Sequence, residues 1–331
     1  MHFQTKTLSL FLFFIIFPFF AQFKPSKNYT TADGLPNNAV RSLYLDKNED
    51  LWIGTENGIS KLENGAFTNL VFPKSFTNNS CWDITQDTKG SMWFASYGGG
   101  VFKFDGENFK IFSKKNGLPV NRCRKLLAYK DKVFVGTELG VAIIDIHTNR
   151  LSVPKEILPH FGVFMVSDFF VYNNEVYFSA INEGLFKITY KNNIPVIEPV
   201  FKFQFAYSLG FYNNTIFSGN KGFIDRLKIQ DLISGKTASK SFGKSVVWDF
   251  AKDKNNTLYG AAWGIFDLSG GLYRITDNEM TNISEQYGID SKSLLNVVYN
   301  AKKRHSLCRF KRQGNLRNSI RQNHRLQSIW Q

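Results

Sequence analysis

Residues 46–55 read Asp-Lys-Asn-Glu-Asp-Leu-Trp-Ile-Gly-Thr, and the end of this stretch returns along the chain. An aromatic residue followed by small and apolar residues recurs at 93–96, 134–137, 177–180, 217–220 and 259–262. The leading aromatic residues are 41, 41, 43, 40 and 42 residues apart. A sustained period of about 40 residues indicates a repeat architecture in which every unit adopts the same fold.

Each unit has the same internal order. In the first unit, an apolar run at 40–45 is followed by a polar turn, the aromatic segment 51–55, a glycine turn, a third run at 59–62 and a last one at 67–70. Four short strands per unit are typical of a β-propeller, whose blades surround a channel. We predict an all-β, seven-bladed β-propeller of four-stranded antiparallel blades, with blade cores near 39–70, 80–112, 122–153, 165–190, 205–229 and 246–283, and a partial core at 293–301.

An aspartate precedes the leading aromatic residue by six positions in three units, at Asp46, Asp87 and Asp253. An aspartate side chain accepts hydrogen bonds from the backbone two residues on, as a tight turn between strands requires. Because the acid recurs at one place in the repeat, we predict a role in the fold rather than in catalysis.

The two ends of the propeller, predicted at 22–301, belong to one blade. Residues 22–36 match the outermost strand of a unit and its Gly-Leu-Pro turn, without the three inner strands. We therefore expect the N-terminal strand to close the last blade. The repeat stops at Lys302, so that blade is expected to be incomplete in this chain.

Residues 302–331 form a basic, non-repeat tail with nine Lys and Arg residues and no acid. One permitted choice of codons for 304–319, read one base later, restores a segment with the aromatic residue and glycines of the repeat. We interpret the tail as out of frame or disordered; the alternative is a natural tail that binds nucleic acid or an acidic surface. Subtracting the nine charges from the formal +14 leaves +5, so no nucleic-acid partner is expected for 22–301.

The N-terminus predicts export. A cationic start is followed by an apolar run at 8–20 and then by Ala21 and Gln22. This order is typical of a secretory signal peptide, here 1–21, and thirteen apolar residues are short for a membrane span of about 20. We expect a periplasmic or secreted protein; an uncleaved anchor is the alternative.

Counting back from each aromatic segment gives one equivalent position at the start of every innermost strand, which borders a mouth of the channel. These positions hold Arg41, Trp82, Arg124, Ser167, Tyr207, Trp248 and Asn296. The residues immediately before them are all apolar or small: Val40, Cys81, Cys123, Val166, Ala206, Val247 and Leu295. Side chains alternate along a strand, so the second set packs between blades while the first reaches the channel.

Ligand binding is predicted at Arg41, Trp82, Arg124, Tyr207, Trp248 and Asn296. Aromatic rings stack on the apolar faces of sugars, and arginine or amide donors suit hydroxyls and carboxylates. An oligosaccharide or a similar small ligand fits that ring. The alternative is that Trp82 and Trp248 are packing residues and that the arginines satisfy buried carbonyls.

Other chemistry is less well supported. Cys81 and Cys123 are either small buried residues or a disulfide, and the five histidines show no metal-ligand spacing. We predict no metal, no cofactor and no catalytic residues. A lyase or glycosidase would need acids in the ring, and Asp168 and Asp249, one position further along, are the nearest. A protein-interaction scaffold is the main alternative to a ligand sensor.

The units resemble the two-component regulator propeller repeat, which runs Gly-Leu-Pro-x-Asn-x-Val, then Asp-x-x-Gly-x-Leu-Trp-Ile-Gly-Thr, then Gly-Leu. The best copy is Gly34-Leu35-Pro36-Asn37-Asn38-Ala39-Val40 with 46–55 and Gly58-Ile59. The resemblance implies an exported sensor part of a regulator, often one that senses oligosaccharides. The membrane span and cytoplasmic output that it also implies are absent from this sequence, so we expect a truncated sensor. A homodimer through the propeller faces is a further expectation.

Overall fold

The fold is described from a computed structural model. It describes residues 26–73, 76, 78–154, 164–202, 206–212, 214–220, 223–228, 231, 239–242, 245–264, 269–276, 279–300, 306–312 and 324–329. The predicted signal peptide at 1–21 lies outside these residues. The described residues form 28 strands, numbered β1 to β28 along the chain, and three short 3-10 turns at Thr31–Asp33, Lys114–Asn116 and Glu285–Tyr287.

The strands form four-stranded antiparallel sheets, which we number by the order of their innermost strands. Sheet I contains β2 (Val40–Leu45), β3 (Leu51–Thr55), β4 (Gly58–Glu63) and β5 (Ala66–Asn69). Sheet II contains β6 (Asp83–Gln86), β7 (Met92–Ser96), β8 (Gly100–Phe104) and β9 (Phe109–Phe112). Sheet III contains β10 (Cys123–Tyr129), β11 (Lys132–Thr137), β12 (Gly140–Asp145) and β13 (Leu151–Ser152).

The later sheets follow the same order. Sheet IV contains β14 (Val166–Tyr172), β15 (Glu175–Ala180), β16 (Gly184–Lys191) and β17 (Ile194–Phe201). Sheet V contains β18 (Ser208–Tyr212), β19 (Thr215–Asn220), β20 (Phe223–Lys228) and β21 (Ser239–Phe242). Sheet VI contains β22 (Val246–Lys252), β23 (Leu258–Trp263), β24 (Gly271–Ile275) and β25 (Met280–Asn282).

Sheet VII joins the two ends of the chain. Its order is β26 (Leu294–Asn300), β27 (Ser306–Arg312), β28 (His324–Ile329) and β1 (Ser26–Tyr29). Ser26 lies opposite Ile329 and Tyr29 opposite Leu326. The prediction that the N-terminal strand closes the last sheet is confirmed.

The prediction that this last sheet is incomplete is wrong. Segments 306–312 and 324–329 lie within the stretch expected to be a non-repeat tail, yet they supply its second and third strands. Pairing uses backbone N–H and C=O groups, and β26 and β1 each leave an unpaired edge without them. The charge of the tail therefore misled the sequence argument, and the fold extends beyond 301. The frameshift hypothesis concerns the gene and stays a prediction.

The innermost strands contact one another in a cycle. Along it, β2 contacts β6, β6 contacts β10, and the series continues through β14, β18, β22 and β26 back to β2. Together with the up-and-down strand order in every sheet, this defines a β-propeller with four-stranded antiparallel blades.

The recurrent aspartates hold the turn before the aromatic strand. One carboxylate oxygen of Asp46 accepts the N–H groups of Asn48 and Asp50, and the other accepts the indole N–H of Trp52 at 2.9 Å. Asp87 binds Trp93 in the same way at 2.8 Å, and Asp253 accepts from the Tyr259 hydroxyl at 3.3 Å. The predicted role of these acids in the fold is confirmed.

The glycine two positions after the leading aromatic residue allows neighbouring sheets to approach. A Cβ on Gly54 would lie 2.7 Å from the Cys81 sulfur of sheet II, and one on Gly136 would lie 2.6 Å from Val166 Cγ1 of sheet IV. Real side chains do not pack that closely. In these two units the glycine is therefore required by contact between sheets.

Candidate functional site

The predicted ring positions coincide with irregularities of the innermost strands. In five of the seven sheets, the pairing of the inner strand with the second strand shifts register, between Val40 and Ser42, Cys123 and Lys125, Val166 and Asp168, Val247 and Asp249, and Leu294 and Val297. Arg41, Arg124, Ser167 and Trp248 are thus the extra residues of β-bulges. A bulge bends the strand and re-aims a side chain, which is how these residues turn toward the channel.

One cavity of about 240 Å³ brings all seven ring positions together. Its lining comprises Arg41, Trp82, Arg124, Ser167, Tyr207, Trp248 and Asn296, with Leu43, Asp83, Lys125, Asp249, Trp263 and Leu295. The structure therefore assembles the residues chosen from the sequence, although their binding of a ligand stays a prediction.

The residues one position earlier lie between the sheets. Val40, Cys123, Val166, Ala206 and Val247 are fully buried. Cys81 and Cys123 are both free, so the packing interpretation is confirmed over the disulfide. Leu295 is the exception, because it is buried and also lines the cavity.

The first half of the cavity wall is cationic and aromatic. The Trp82 ring stacks on Tyr97 with a centroid distance of 4.4 Å, and the guanidinium carbons of Arg41 and Arg124 lie 5.2 and 5.1 Å from its centroid. Cation–π contacts of this kind fix the position of both partners. Trp82 is thus the centre of a packed cluster as well as a lining residue.

The opposite half is aromatic and amide. Tyr207 stacks on Trp248 at 5.3 Å, and Trp263 meets the edge of Trp248 at 5.4 Å. The Asn296 carbonyl accepts the Leu43 N–H at 3.1 Å and so links sheet VII to sheet I. The Ser167 hydroxyl hydrogen-bonds to the Ser179 hydroxyl at 2.8 Å, so its role is structural.

A charged floor lies under the ring, and the sequence pointed to two of its members, Asp168 and Asp249, but not to Asp83 and Lys125. It consists of Asp83, Lys125, Asp168 and Asp249, each one position after a ring residue. The carboxylates of Asp83, Asp168 and Asp249 accept the backbone N–H groups of the next sheet, from Leu126, Leu209 and Val297, at 2.8 to 2.9 Å. The Lys125 ammonium lies 3.6 Å from Asp168 Oδ1. These contacts tie sheets II to III, IV to V and VI to VII.

Simple strand alternation hid this floor. It assigns consecutive residues to opposite sides, but the bulge lets both the ring residue and its successor face the cavity. The only available signal was the recurrence of Asp at the same place in three units.

The floor groups have shifted pKa values. Burial raises the pKa of Asp83 to about 6 and of Asp249 to about 7, against the opposing charge of Lys125. Burial acts to lower the pKa of Lys125, but the carboxylates of Asp168, Asp83 and Asp249 outweigh it and raise that pKa above its ordinary value. The floor therefore keeps a charged lysine and two carboxyl groups that titrate near neutral pH.

The described residues also bear on metal binding and on membrane insertion. Within the ranges given above, no group of three or more His, Cys, Asp or Glu side chains is arranged to hold a metal ion. Over the same ranges no helix has the length and apolarity needed to cross a membrane.

The fold is a β-propeller with a cavity lined by the ring residues. The family model described as two component regulator propeller matches residues 34–57. The resemblance stated from the repeats is therefore confirmed over this segment. No curated protein matches the chain.

Solved structures share the fold at low identity. The extracellular domain of BT3049 from B. thetaiotaomicron, named a hybrid two component system, matches with a TM-score of 0.69 and 15% identity over 92% of this chain and 42% of that chain. PorZ of Porphyromonas gingivalis, a surface component of the type-IX secretion system, matches at 0.68 and 12% over 90% of this chain and 47% of that one. This chain thus spans less than half of either protein.

An enzyme shares the fold over its whole length. Virginiamycin B lyase from Staphylococcus aureus matches with a TM-score of 0.66 and 13% identity, over 93% of this chain and 99% of the lyase. At such identities the likeness shows the fold alone, since one fold hosts many functions.

Proposed function

We propose that this chain is an exported, seven-bladed sensor propeller that binds a small hydroxyl-rich ligand, in the first place an oligosaccharide, at the mouth of its channel. The observation that carries the proposal is the convergence of Arg41, Trp82, Arg124, Tyr207 and Trp248 on one cavity. The cyclic contacts of the inner strands support seven blades. The extracellular domains of two component systems with the same fold support export and sensing.

The size of the cavity limits what it can hold. At about 240 Å³ it is smaller than the roughly 300–1,000 Å³ of pockets that enclose a drug-sized ligand. It accommodates the end of an oligosaccharide, with the remaining residues outside the channel. Stacked aromatic rings on one side and arginines on the other suit a sugar ring with an apolar face and polar edges.

The test is a thermal-shift screen of the purified exported chain against oligosaccharides, followed by calorimetry of those that raise the melting temperature. A ligand at a hundred times its Kd stabilises the folded state by about 2.7 kcal/mol, which such a screen detects. We expect one sugar class to stabilise the protein and Trp248→Ala to abolish that shift. The matched control is Trp93→Phe, because Trp93 is fully buried away from the cavity.

Two outcomes would contradict the proposal. If no oligosaccharide shifts the melting temperature, a protein-interaction propeller becomes the better explanation. If a ligand binds but Trp248→Ala leaves its affinity unchanged, the site lies elsewhere on the molecule.

A further inference from the structure

The two arginines that flank Trp82 differ in their ion pairing. Arg41 is held by Glu56 through its Nε and a terminal nitrogen, and Glu56 also accepts the Ser80 hydroxyl. Arg124, at the equivalent position two sheets further on, forms no ion pair with any carboxylate in the described part of the chain. It is the one charged lining residue of the ring that lacks a counter-ion there.

The carboxylates near Arg124 are occupied by other partners. Glu138 pairs with Arg122 and accepts the Tyr97 hydroxyl. In the floor, Asp168 pairs with Lys125 and accepts the Leu209 N–H. The two acids that line the cavity, Asp83 and Asp249, accept the Leu126 and Val297 N–H groups, and neither forms an ion pair with Arg124.

The surroundings of Arg124 make an unpaired charge costly. The side chain is partly buried and lies 5.1 Å above the Trp82 ring, whose cation–π contact holds the guanidinium without neutralising its charge. A partly desolvated guanidinium gains most from a planar anion that takes two of its N–H groups at once. A ligand can supply such an anion, since no described carboxylate pairs with Arg124.

We propose that Arg124 is the anion receptor of the cavity and that the ligand is an acidic oligosaccharide, whose terminal sugar carries a carboxylate or sulfate. This inference rests on the proposed function, since it assigns the charge of the sugar that enters the same cavity. The anionic group lies against Arg124, and the sugar ring faces Tyr207 and Trp248 on the opposite wall.

The experiment compares matched ligands by isothermal titration calorimetry. Oligogalacturonides are compared with their uncharged methyl-esterified forms of equal length, and 6-sulfated galacto-oligosaccharides, which supply the second anion, with the unsulfated sugars. We expect at least one anionic series to bind about ten- to a hundredfold more tightly than the neutral one. The preferred series identifies the anion. Arg124→Gln should remove that preference by weakening the anionic series far more than the neutral one, and Arg124→Lys should restore part of it.

Controls separate binding from folding. Arg150→Gln removes a cation from an exposed turn of the same sheet and should leave the preference intact. Melting temperatures of the variants without ligand show whether each is folded. Equal affinity for acidic and neutral sugars, or a preference that survives Arg124→Gln in the folded protein, would overturn this inference and leave the proposed function standing. If no sugar binds, the proposed function itself fails.

Discussion

At the residue scale, the pKa of Asp249 predicts a specific pH dependence of stability. Burial raises that pKa to about 7, whereas an unfolded aspartate titrates near about 3.9. Between these values the folded state binds a proton that the unfolded state has lost, so stability falls as pH rises through this window. Asparagine does not titrate. The melting temperature of the wild type relative to Asp249→Asn should therefore decrease from pH 5 to pH 8.

The comparison needs the other charges of the floor held constant. Asp83, Asp168 and Lys125 are present in both proteins, and Lys125 stays charged throughout because its pKa is raised. Asp105→Asn is the control, since the N–H groups of Asn108 and Glu107 lower the pKa of Asp105 and its effect is constant above pH 5. A difference that is flat or rises with pH for Asp249→Asn would contradict the burial of its charge.

At the same scale, some residues of the site could be predicted from the sequence and others could not. The period of the repeat located Arg41, Trp82, Arg124 and Trp248 because equivalent positions of equivalent blades share one environment. The charged floor was not predicted as a unit, since Lys125 and Asp249 line the cavity only through bulges in their strands. The ion pairing of the two arginines could not be predicted either, because nothing in the sequence distinguishes Arg41, which pairs with Glu56, from Arg124.

At the element scale, the aspartate turn is predicted to stabilise each of the three blades that contain it. Asp87→Ala removes three hydrogen bonds, to Lys89, Ser91 and the indole of Trp93, and leaves a buried indole N–H unpaired. We expect a loss of about 2–4 kcal/mol in unfolding free energy, measured by denaturant titration.

Asp105→Ala is the matched control for that turn. Asp105 accepts two backbone N–H groups in the next turn of the same sheet, but it is exposed and binds no aromatic side chain. Its loss should cost about 1 kcal/mol or less. Equal costs for the two variants would mean that the contact with the buried indole contributes nothing.

The glycine two positions after the leading aromatic residue gives a second prediction at this scale. Gly136→Ala places a Cβ 2.6 Å from Val166 Cγ1 and 3.1 Å from the Phe169 ring of the next sheet. Overpacking of this kind costs about 1–3 kcal/mol. Gly65→Ala, where a Cβ would meet nothing, is the control for added volume, although its φ of 85° adds some backbone strain of its own. A smaller cost of Gly136→Ala when it is introduced into Val166→Ala than into the wild type would confirm that the cost arises between the sheets.

At the scale of the whole molecule, the sequence predicted the ring and its closure but misjudged the last sheet. The match of 22–36 to an outer strand was a pattern signal, and it placed β1 correctly. The strands at 306–312 and 324–329 carry no such pattern, because their pairing follows from the backbone edges that β26 and β1 offer. Amino-acid composition indicates which side chains favour a strand. It does not indicate where a strand forms because its backbone pairs with an open sheet edge.

Closure predicts that the two ends of the chain stabilise the whole propeller. A chain starting at residue 23 keeps β1, while one starting at residue 31 loses it together with Tyr29, which is 2% exposed and packs edge-on against Phe67 at 5.2 Å. Truncating a buried aromatic side chain alone costs about 3–5 kcal/mol, and the shorter chain also loses the pairing with β28. We expect the chain starting at 31 to melt at a lower temperature and over a broader range in calorimetry. Because β1 pairs only with β28, identical melting curves for the two chains would show that the ring does not depend on this strand, and the proposed seventh blade would have to be abandoned.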